Sequence, residues 1–301
     1  MRRALSVTLL LLLIAGTGRA ARSYSARGLL LKVDKAHQTV LISCEKIPEF
    51  MDAMVMSFPV RDSHELEGLN PGVMIEFTIV MTHKSSYITE IHVHKYESIE
   101  QDPLTARRLK LMTAFADPDS RPKEIKVGDH VPDFSLTDQT RQIVTLSQFH
   151  GKVVAMTFTY THCALPNFCF RIANNFRRVQ KRFACRMGRD LILTTVTFHP
   201  AHDTPDVMAK YGETWGADPK NWRLLTGSPS EIGNLTDRFG VGYWADEGLM
   251  VHSLHTVLID REGNLAANLE GNEFTADELG DLIQTMLTKP RAMPAGHTLP
   301  Q

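Results

Sequence analysis

The stretch VVAMTFTYTHCALPNFC (residues 153–169) carries the strongest fold signal of this chain. Its first eight residues are apolar or β-branched, which predicts a buried strand over Val153–Tyr160. A helical pattern follows over residues 168–187, and a second buried-type strand over Leu191–Phe198. Strand, helix and strand in this order are typical of an α/β fold with parallel strands.

The residues that follow continue the same pattern. Thr204-Pro205 predicts the N-cap and first position of another helix. A strand pair is predicted over His255–Asp260 and Leu265–Leu269, and Thr275–Glu278 forms a capping box before the last helix. This order predicts a thioredoxin-like α/β domain.

Residues 26–97 have a different pattern, with about five short alternating strands separated by polar turns. Gly68, Pro71 and Gly72 mark one turn, and a single helical turn is expected near His64–Leu69. So many short strands in so few residues predict a small all-β barrel of the OB-like kind.

The first twenty residues have the layout of a secretory signal peptide. Arg2-Arg3 precede the apolar run Leu9–Ile14, and the small residues Gly18 and Ala20 precede the expected cleavage point. The apolar run is shorter than the ~20 residues of a membrane-spanning helix, although an uncleaved anchor remains the alternative. An exported, periplasmic protein is therefore expected.

Composition narrows the function further. The 33 basic and 34 acidic residues give a net charge of −1, which provides no basis for nucleic-acid binding. Four cysteines are too few for a disulfide-stapled small fold. The predicted division is a signal peptide (1–20), the barrel (26–97), a linker (98–125) with a short helix (Leu104–Ala114), the thioredoxin-like domain (126–289) and a disordered tail (290–301).

Cys163 and Cys169 follow the first strong strand directly. A continuous helix would separate their Cα atoms by ~9 Å, beyond the ~7 Å limit for a disulfide. Pro166 disfavours helix in the residue before it, and Asn167 is a good N-cap. We therefore expect Cys163 on a loop and Cys169 in the first helical turn, where the helix N-terminus stabilises a thiolate. A redox pair or a metal site fits this position, and a structural disulfide or two unrelated thiols are the alternatives.

A histidine close to the two cysteines would help to distinguish a metal site from a redox pair. His252 is the candidate because it precedes a strand expected to pair beside the first one, and His255 is the rival. Thioredoxin-type oxidoreductases place a cis-proline just before this strand. No proline occurs between Pro229 and Pro290, which argues against a pure oxidoreductase. Two sulfur ligands and one imidazole suit copper.

The chain resembles the SCO/SenC family of copper chaperones over roughly residues 127–288. The matching segments are Gly128–Phe134, Thr157–Cys163, Thr195–Phe198, Asp203-Thr204-Pro205, His252-Ser253 and Leu258–Asp260. The resemblance implies copper, Cu(I) or Cu(II), bound by Cys163, Cys169 and His252. It also implies a client such as cytochrome c oxidase subunit II or another exported copper protein.

Two positions depart from that family. Five residues separate the cysteines where three are usual, which affects disulfide geometry and the strength of copper binding. His199 stands where an acidic residue is common, and we expect it to alter the electrostatics beside the copper site and not to bind the copper.

Residues 42–58 resemble the metal-binding region of CusF-like periplasmic copper proteins. Met54 and Met56 leave the same face of a strand, and Cys44 stands in place of the family's histidine ligand. The family's copper-capping aromatic has no counterpart beyond Met51. Thioethers and a thiolate favour Cu(I), so the resemblance implies a second metal site. Methionines that simply fill gaps in a barrel are the alternative.

Three other residues are given no metal role. His92 and His94 are expected to be solvated strand histidines, and Cys185 a packed thiol.

The sequence as a whole predicts an exported protein in which a copper-capturing barrel is fused to a copper-transferring thioredoxin-like domain. A thiol-disulfide oxidoreductase or peroxidase on the same fold is one alternative. A copper-tolerance protein that buffers the metal is the other.

Overall fold

The computed structural model describes residues 22–83, 85–94, 123–163, 166–246 and 249–289. The expected signal peptide, the linker helix over 104–114 and the tail over 290–301 lie outside these residues. Within the described part of the chain, no helix combines the length and the apolar character needed to cross a bilayer.

The N-terminal part is a five-stranded antiparallel sheet in the order β3-β2-β1-β4-β5. Its strands are β1 (Arg22–Asp34), β2 (Thr39–Cys44), β3 (Met54–Pro59), β4 (Met74–Met81) and β5 (Ser86–Val93). A bridge between Val60 and Ile88 links the two edges of the sheet, so it curls into a barrel. The interior is apolar and includes Leu30, Ile42 and Phe77.

The C-terminal part is built on a seven-stranded sheet in the order β14-β13-β8-β9-β10-β6-β7. Its strands are β6 (Ser135–Asp138), β7 (Ile143–Thr145), β8 (Val153–Thr159), β9 (Leu191–Thr197), β10 (Trp222–Thr226), β13 (His255–Ile259) and β14 (Leu265–Glu270). Strands β8, β9 and β10 are parallel, whereas β13 runs antiparallel to β8. Every residue of β8 and β9 is buried, as expected of strands covered on both faces.

A two-stranded hairpin, β11 (Tyr243–Asp246) and β12 (Leu249–His252), stands beside this sheet. The helices are α1 (Arg171–Arg182), α2 (Pro205–Trp215), α3 (Pro229–Arg238) and α4 (Ala276–Thr288). Thr204 caps α2 and Thr275 forms a capping box with Glu278 at α4, as their sequence patterns predict.

The predicted fold class, a small β-barrel followed by a thioredoxin-like α/β domain, is confirmed. The helix expected over 168–187 differs in its bounds. A π-helical turn over Pro166–Phe170 precedes α1, and α1 ends at Arg182. The expectation of Asn167 as N-cap was wrong, because the turn begins one residue earlier and Phe170 holds the N-cap position of α1.

The barrel packs directly on the second domain. Leu29, Leu31 and Met74 belong to the same apolar cluster as the core of the α/β domain. Gly72 has a positive φ of 94°, and a Cβ there would lie 2.9 Å from the Cβ of Ala267. Only glycine fits this close approach, so the two domains share a tight interface.

Polar contacts continue this interface along the start of α4. Ser43 Oγ donates to Asp281 Oδ2 at 2.7 Å. The carboxylate of Glu273 pairs with Arg27 and lies 3.0 Å from Nε2 of His94. Glu273, just before α4, and Asp281, within α4, therefore connect the two domains.

Candidate metal centre

Three elements bring Cys163, Cys169 and His252 together. Cys163 follows the carboxyl end of β8, Cys169 lies in the π-helical turn before α1, and His252 ends β12. Strand β13 pairs with β8, which holds the chain after His252 beside the chain before Cys163. The exposed fractions of the three residues are 4%, 2% and 4%, so the centre is enclosed.

The donor atoms of the centre are in contact. Cys169 Sγ lies 3.7 Å from His252 Nε2, and the side chains of Cys163 and Cys169 hydrogen-bond to each other. Nδ1 of His252 lies 3.0 Å from the carbonyl oxygen of Ser253. Since a carbonyl only accepts, Nδ1 carries the proton and Nε2 presents its lone pair to the thiols. This backbone partner orients the imidazole as metal-binding histidines are oriented elsewhere.

Aromatic rings enclose the imidazole of His252. Its ring centroid lies 4.6 Å from that of Phe198 and 5.7 Å from that of Tyr160. Tyr243, which pairs with His252 in the β11–β12 hairpin, stacks on Phe198 at 5.3 Å. These rings limit the orientation of the imidazole and exclude water from it.

The thiol of Cys169 is held in its neutral form. The hydrogen bond with Cys163, followed by burial, raises the pKa of Cys169 well above its ordinary value. The expected thiolate at the helix N-terminus was therefore wrong for Cys169, because the neighbouring thiol and burial both raise its pKa. A metal that binds here must displace protons.

The rival His255 lies in the core. It is 8% exposed, and its Nδ1 is 2.9 Å from Oδ1 of Asn268. Burial lowers the pKa of its imidazole. His255 is a packed, hydrogen-bonded strand residue, and His252 is the histidine in contact with Cys169.

Strand register also groups the barrel residues. Cys44 pairs with Met54, and Ile42 with Met56, in the antiparallel β2–β3 ladder. Cross-strand partners share a face, and this is the face on which Val40 and Phe58 enter the barrel core. Gly28 pairs with Cys44 from the other side, and a Cβ there would lie 2.4 Å from the carbonyl oxygen of Ser43.

The burial of these three residues differs. Cys44 is 2% exposed and Met54 is 53% exposed, with Met56 between them. Burial, and secondarily Glu278, raises the pKa of Cys44 to about 12. The set therefore joins a buried thiol to an exposed thioether at the end of the strand pair. An exposed methionine is not explained by gap filling in a core.

Two expectations outside the metal sites were wrong. Cys185 is exposed and not packed, because α1 ends three residues before it. His94 is not a solvated strand residue, since it lies just past β5 with its ring between Glu76 and Glu273. His92 is exposed on β5, as expected.

A thioredoxin-like domain with two thiols and an imidazole at one corner defines a class of redox or metal-binding proteins. Comparison with known proteins identifies the family. The SCO1/SenC family matches residues 122–288, more than half of the chain, and the chain belongs to this family. A second family, described as the copper binding periplasmic protein CusF, matches residues 23–93. The prediction of copper as the cofactor is confirmed at the level of these families.

Individual proteins are similar to parts of this chain. An SCO2-like protein of Rickettsia typhi is 30% identical over 146 residues, covering 46% of this chain and 68% of the relative. The mitochondrial SCO2 homolog of Homo sapiens is 25% identical over 170 residues, covering 54% of this chain and 61% of the relative. The structure of Arabidopsis thaliana ScoI with copper bound is 25% identical, with a TM-score of 0.46, and covers 52% of this chain and 97% of that one.

Proposed function

We propose that this protein is an exported, periplasmic copper chaperone with two copper sites. Cys163, Cys169 and His252 bind copper in the α/β domain. The observation that carries this proposal is the 3.7 Å contact between Cys169 Sγ and His252 Nε2, with Nδ1 already occupied by a backbone carbonyl. Soft sulfur donors and an imidazole are the ligands that copper prefers.

The five-residue spacing of the cysteines fits this role. Cys163 and Cys169 hydrogen-bond to each other across the longer loop, so the extra residues do not separate the sulfurs. The enclosed site also limits access of water to bound copper.

Cys44, Met54 and Met56 form the second copper site, which takes Cu(I) at the exposed end of β2 and β3. One thiolate and two thioethers make a soft donor set, and they share a strand face. The exposed thioether of Met54 gives an incoming ion a first contact before the buried thiol.

Copper passes from the barrel to the α/β domain across their interface. Glu45, next to Cys44, lies 3.9 Å from Arg27. Arg27 pairs with Glu273, and the backbone carbonyl of Glu273 accepts from Arg171 at 2.8 Å. Arg171 lies two residues after Cys169, so a short chain of contacts joins the surroundings of the two sites.

The client of the chaperone is cytochrome c oxidase subunit II or another exported copper protein, as membership of the SCO1/SenC family supports. The barrel over 26–97 and the α/β domain over 126–289 are the two functional domains of this chaperone.

Thiol-disulfide exchange is the second candidate function. The contact between the two reduced thiols favours it, because they can form a disulfide without a large rearrangement. Turnover of a disulfide substrate that is unaffected by His252→Ala would support this function over copper transfer.

Copper stoichiometry tests the proposal. The purified chain, loaded anaerobically with Cu(I), is expected to hold two ions, and Cys163→Ser and Met54→Ala are each expected to lose one. Cys185→Ser is the matched control, since this exposed thiol lies outside both sites, and it should retain two ions. A wild-type chain that holds no Cu(I) would contradict the proposal.

A further inference from the structure

A histidine cluster lies beside the copper centre, on the loops that follow β8 and β9. It consists of His162, His199, His202 and Asp203. One ligand atom from each of His162, His202 and Asp203 lies within 4.8 Å of the other two. The ring centroids of His162 and His202 are 4.3 Å apart, and that of His199 lies 5.1 Å from His162.

The carboxylate of Asp203 is held in place by hydrogen bonds. Its side chain is fully buried, and its Oδ2 accepts from Thr161 N at 3.0 Å and from Thr197 Oγ1 at 2.5 Å. Its Oδ1 accepts from Thr161 Oγ1 at 2.6 Å. These donors hold the carboxylate in one orientation but carry no positive charge, and a buried carboxylate is stabilised by a nearby cation.

The spacing of the donor atoms suits a metal ion. Oδ1 of Asp203 lies 2.8 Å from Nδ1 of His202 and 4.0 Å from Nδ1 of His162. Ligand atoms about 2.1 Å from a tetrahedral ion are about 3.4 Å apart, a value between these two distances. An ion that enters here replaces the proton between Asp203 and His202, and the threonines continue to orient the carboxylate.

His199 supplies an independent observation. Its Nδ1 is buried and has no hydrogen-bond partner among the described residues. A buried nitrogen without a partner is costly, and the ring that carries it borders the cluster, with its centroid 5.1 Å from that of His162. No contact already described accounts for this atom.

The cluster differs chemically from the copper centre. Imidazoles and a carboxylate suit borderline divalent ions such as Cu(II) and Zn(II), whereas thiolates favour Cu(I). The two groups are neighbours, because Tyr160 contacts the ring of His162 at 4.8 Å and that of His252 at 5.7 Å.

We propose that His162, His202 and Asp203 form a separate site for a divalent ion, Cu(II) or Zn(II), next to the thiol pair. The site shares no ligand with the copper sites proposed above, so it can be tested independently of the chaperone function.

The test uses the full chain, without an affinity tag, in which Cys44, Cys163 and Cys169 are replaced by serine. Equilibrium dialysis against Zn(II) alone or Cu(II) alone is expected to give one bound ion per chain, with Cu(II) displacing Zn(II) as the general affinity order requires. The Cu(II) form is expected to show nitrogen hyperfine coupling in its electron paramagnetic resonance spectrum.

His202→Ala and His162→Ala in this background are each expected to weaken binding at least tenfold. The side chains of His202 and His162 are 50% and 35% exposed, so both variants should fold, which circular dichroism checks. His64→Ala, at an 81% exposed histidine of the barrel, is the matched control and should bind as the parent does. Absence of a bound divalent ion in the parent, or unchanged binding in both cluster variants, would overturn the proposal.

Discussion

The buried thiol of Cys44 makes Cu(I) loading of the barrel depend on pH. Burial raises the pKa of this thiol to about 12 from an ordinary value of 9.0. Cu(I) binds the thiolate, so each loading event releases one proton. Higher pH therefore favours loading. Met54 and Met56 do not titrate, so they do not contribute to the pH dependence of Cu(I) affinity.

The size of the effect follows from that pKa. At pH 7 about one thiol in 10⁵ is ionised, compared with about one in 10² for an ordinary cysteine. The difference corresponds to about 4 kcal/mol of apparent binding free energy. The range from pH 6 to 9 lies well below the pKa of Cys44. The apparent Cu(I) affinity should therefore rise about tenfold per pH unit, or roughly 10³-fold over this range.

The assay uses the full chain carrying Cys163→Ser and Cys169→Ser, so that the measured Cu(I) binding comes from the barrel site. Competition with a chromophoric Cu(I) chelator, corrected for the chelator's own protonation, gives the apparent affinity at each pH. Adding Cys44→Ser should weaken binding and remove the slope. A flat profile in the parent, or the same slope after Cys44→Ser, would refute Cys44 as the ligand.

Three further predictions follow from the contacts. His252→Ala should lower the copper affinity of the α/β domain at least tenfold in chelator competition, because it removes one of three donors, and an unchanged affinity would exclude His252 as a ligand. Thr275→Ala removes the cap of α4 and should lower the free energy of unfolding by about 1 kcal/mol; urea denaturation with an unshifted midpoint would contradict the capping argument. Glu273→Ala removes the carboxylate shared by Arg27 and His94 and should slow copper transfer between the domains without changing the number of ions bound. An unchanged transfer rate would argue against transfer across this interface.

The sequence predicted the central elements because their patterns are strong and local. Strands β8 and β9 are continuous apolar runs, and the N-caps of α2 and α4 follow simple residue rules. His252 could be selected over His255 because its position relative to β13 and the family resemblance pointed to the same residue.

Other features depend on contacts distant in sequence. Leu29, Leu31 and Met74 have the pattern of ordinary barrel strands, yet they pack into the core of the second domain. The short β11–β12 hairpin that carries His252 has no periodicity long enough to detect. The raised pKa of Cys169 depends on its contact with Cys163, and sequence spacing alone does not reveal this contact.

The histidine cluster shows the same limit. His199, His202 and Asp203 are close in sequence, but His162 joins them only because β8 and β9 are parallel neighbours that end at one edge of the sheet. Sequence spacing does not reveal that these histidines are neighbours, whereas the sheet places them around one buried carboxylate.

X-ray absorption at the copper edge tests the central claim most directly. A Met54→Ala chain loaded with one equivalent of Cu(I) should show two sulfur ligands and one nitrogen, with the nitrogen lost after His252→Ala. A copper ion with only nitrogen and oxygen neighbours, or an unchanged nitrogen shell in the His252→Ala variant, would contradict the assignment of Cys163, Cys169 and His252 as the copper centre.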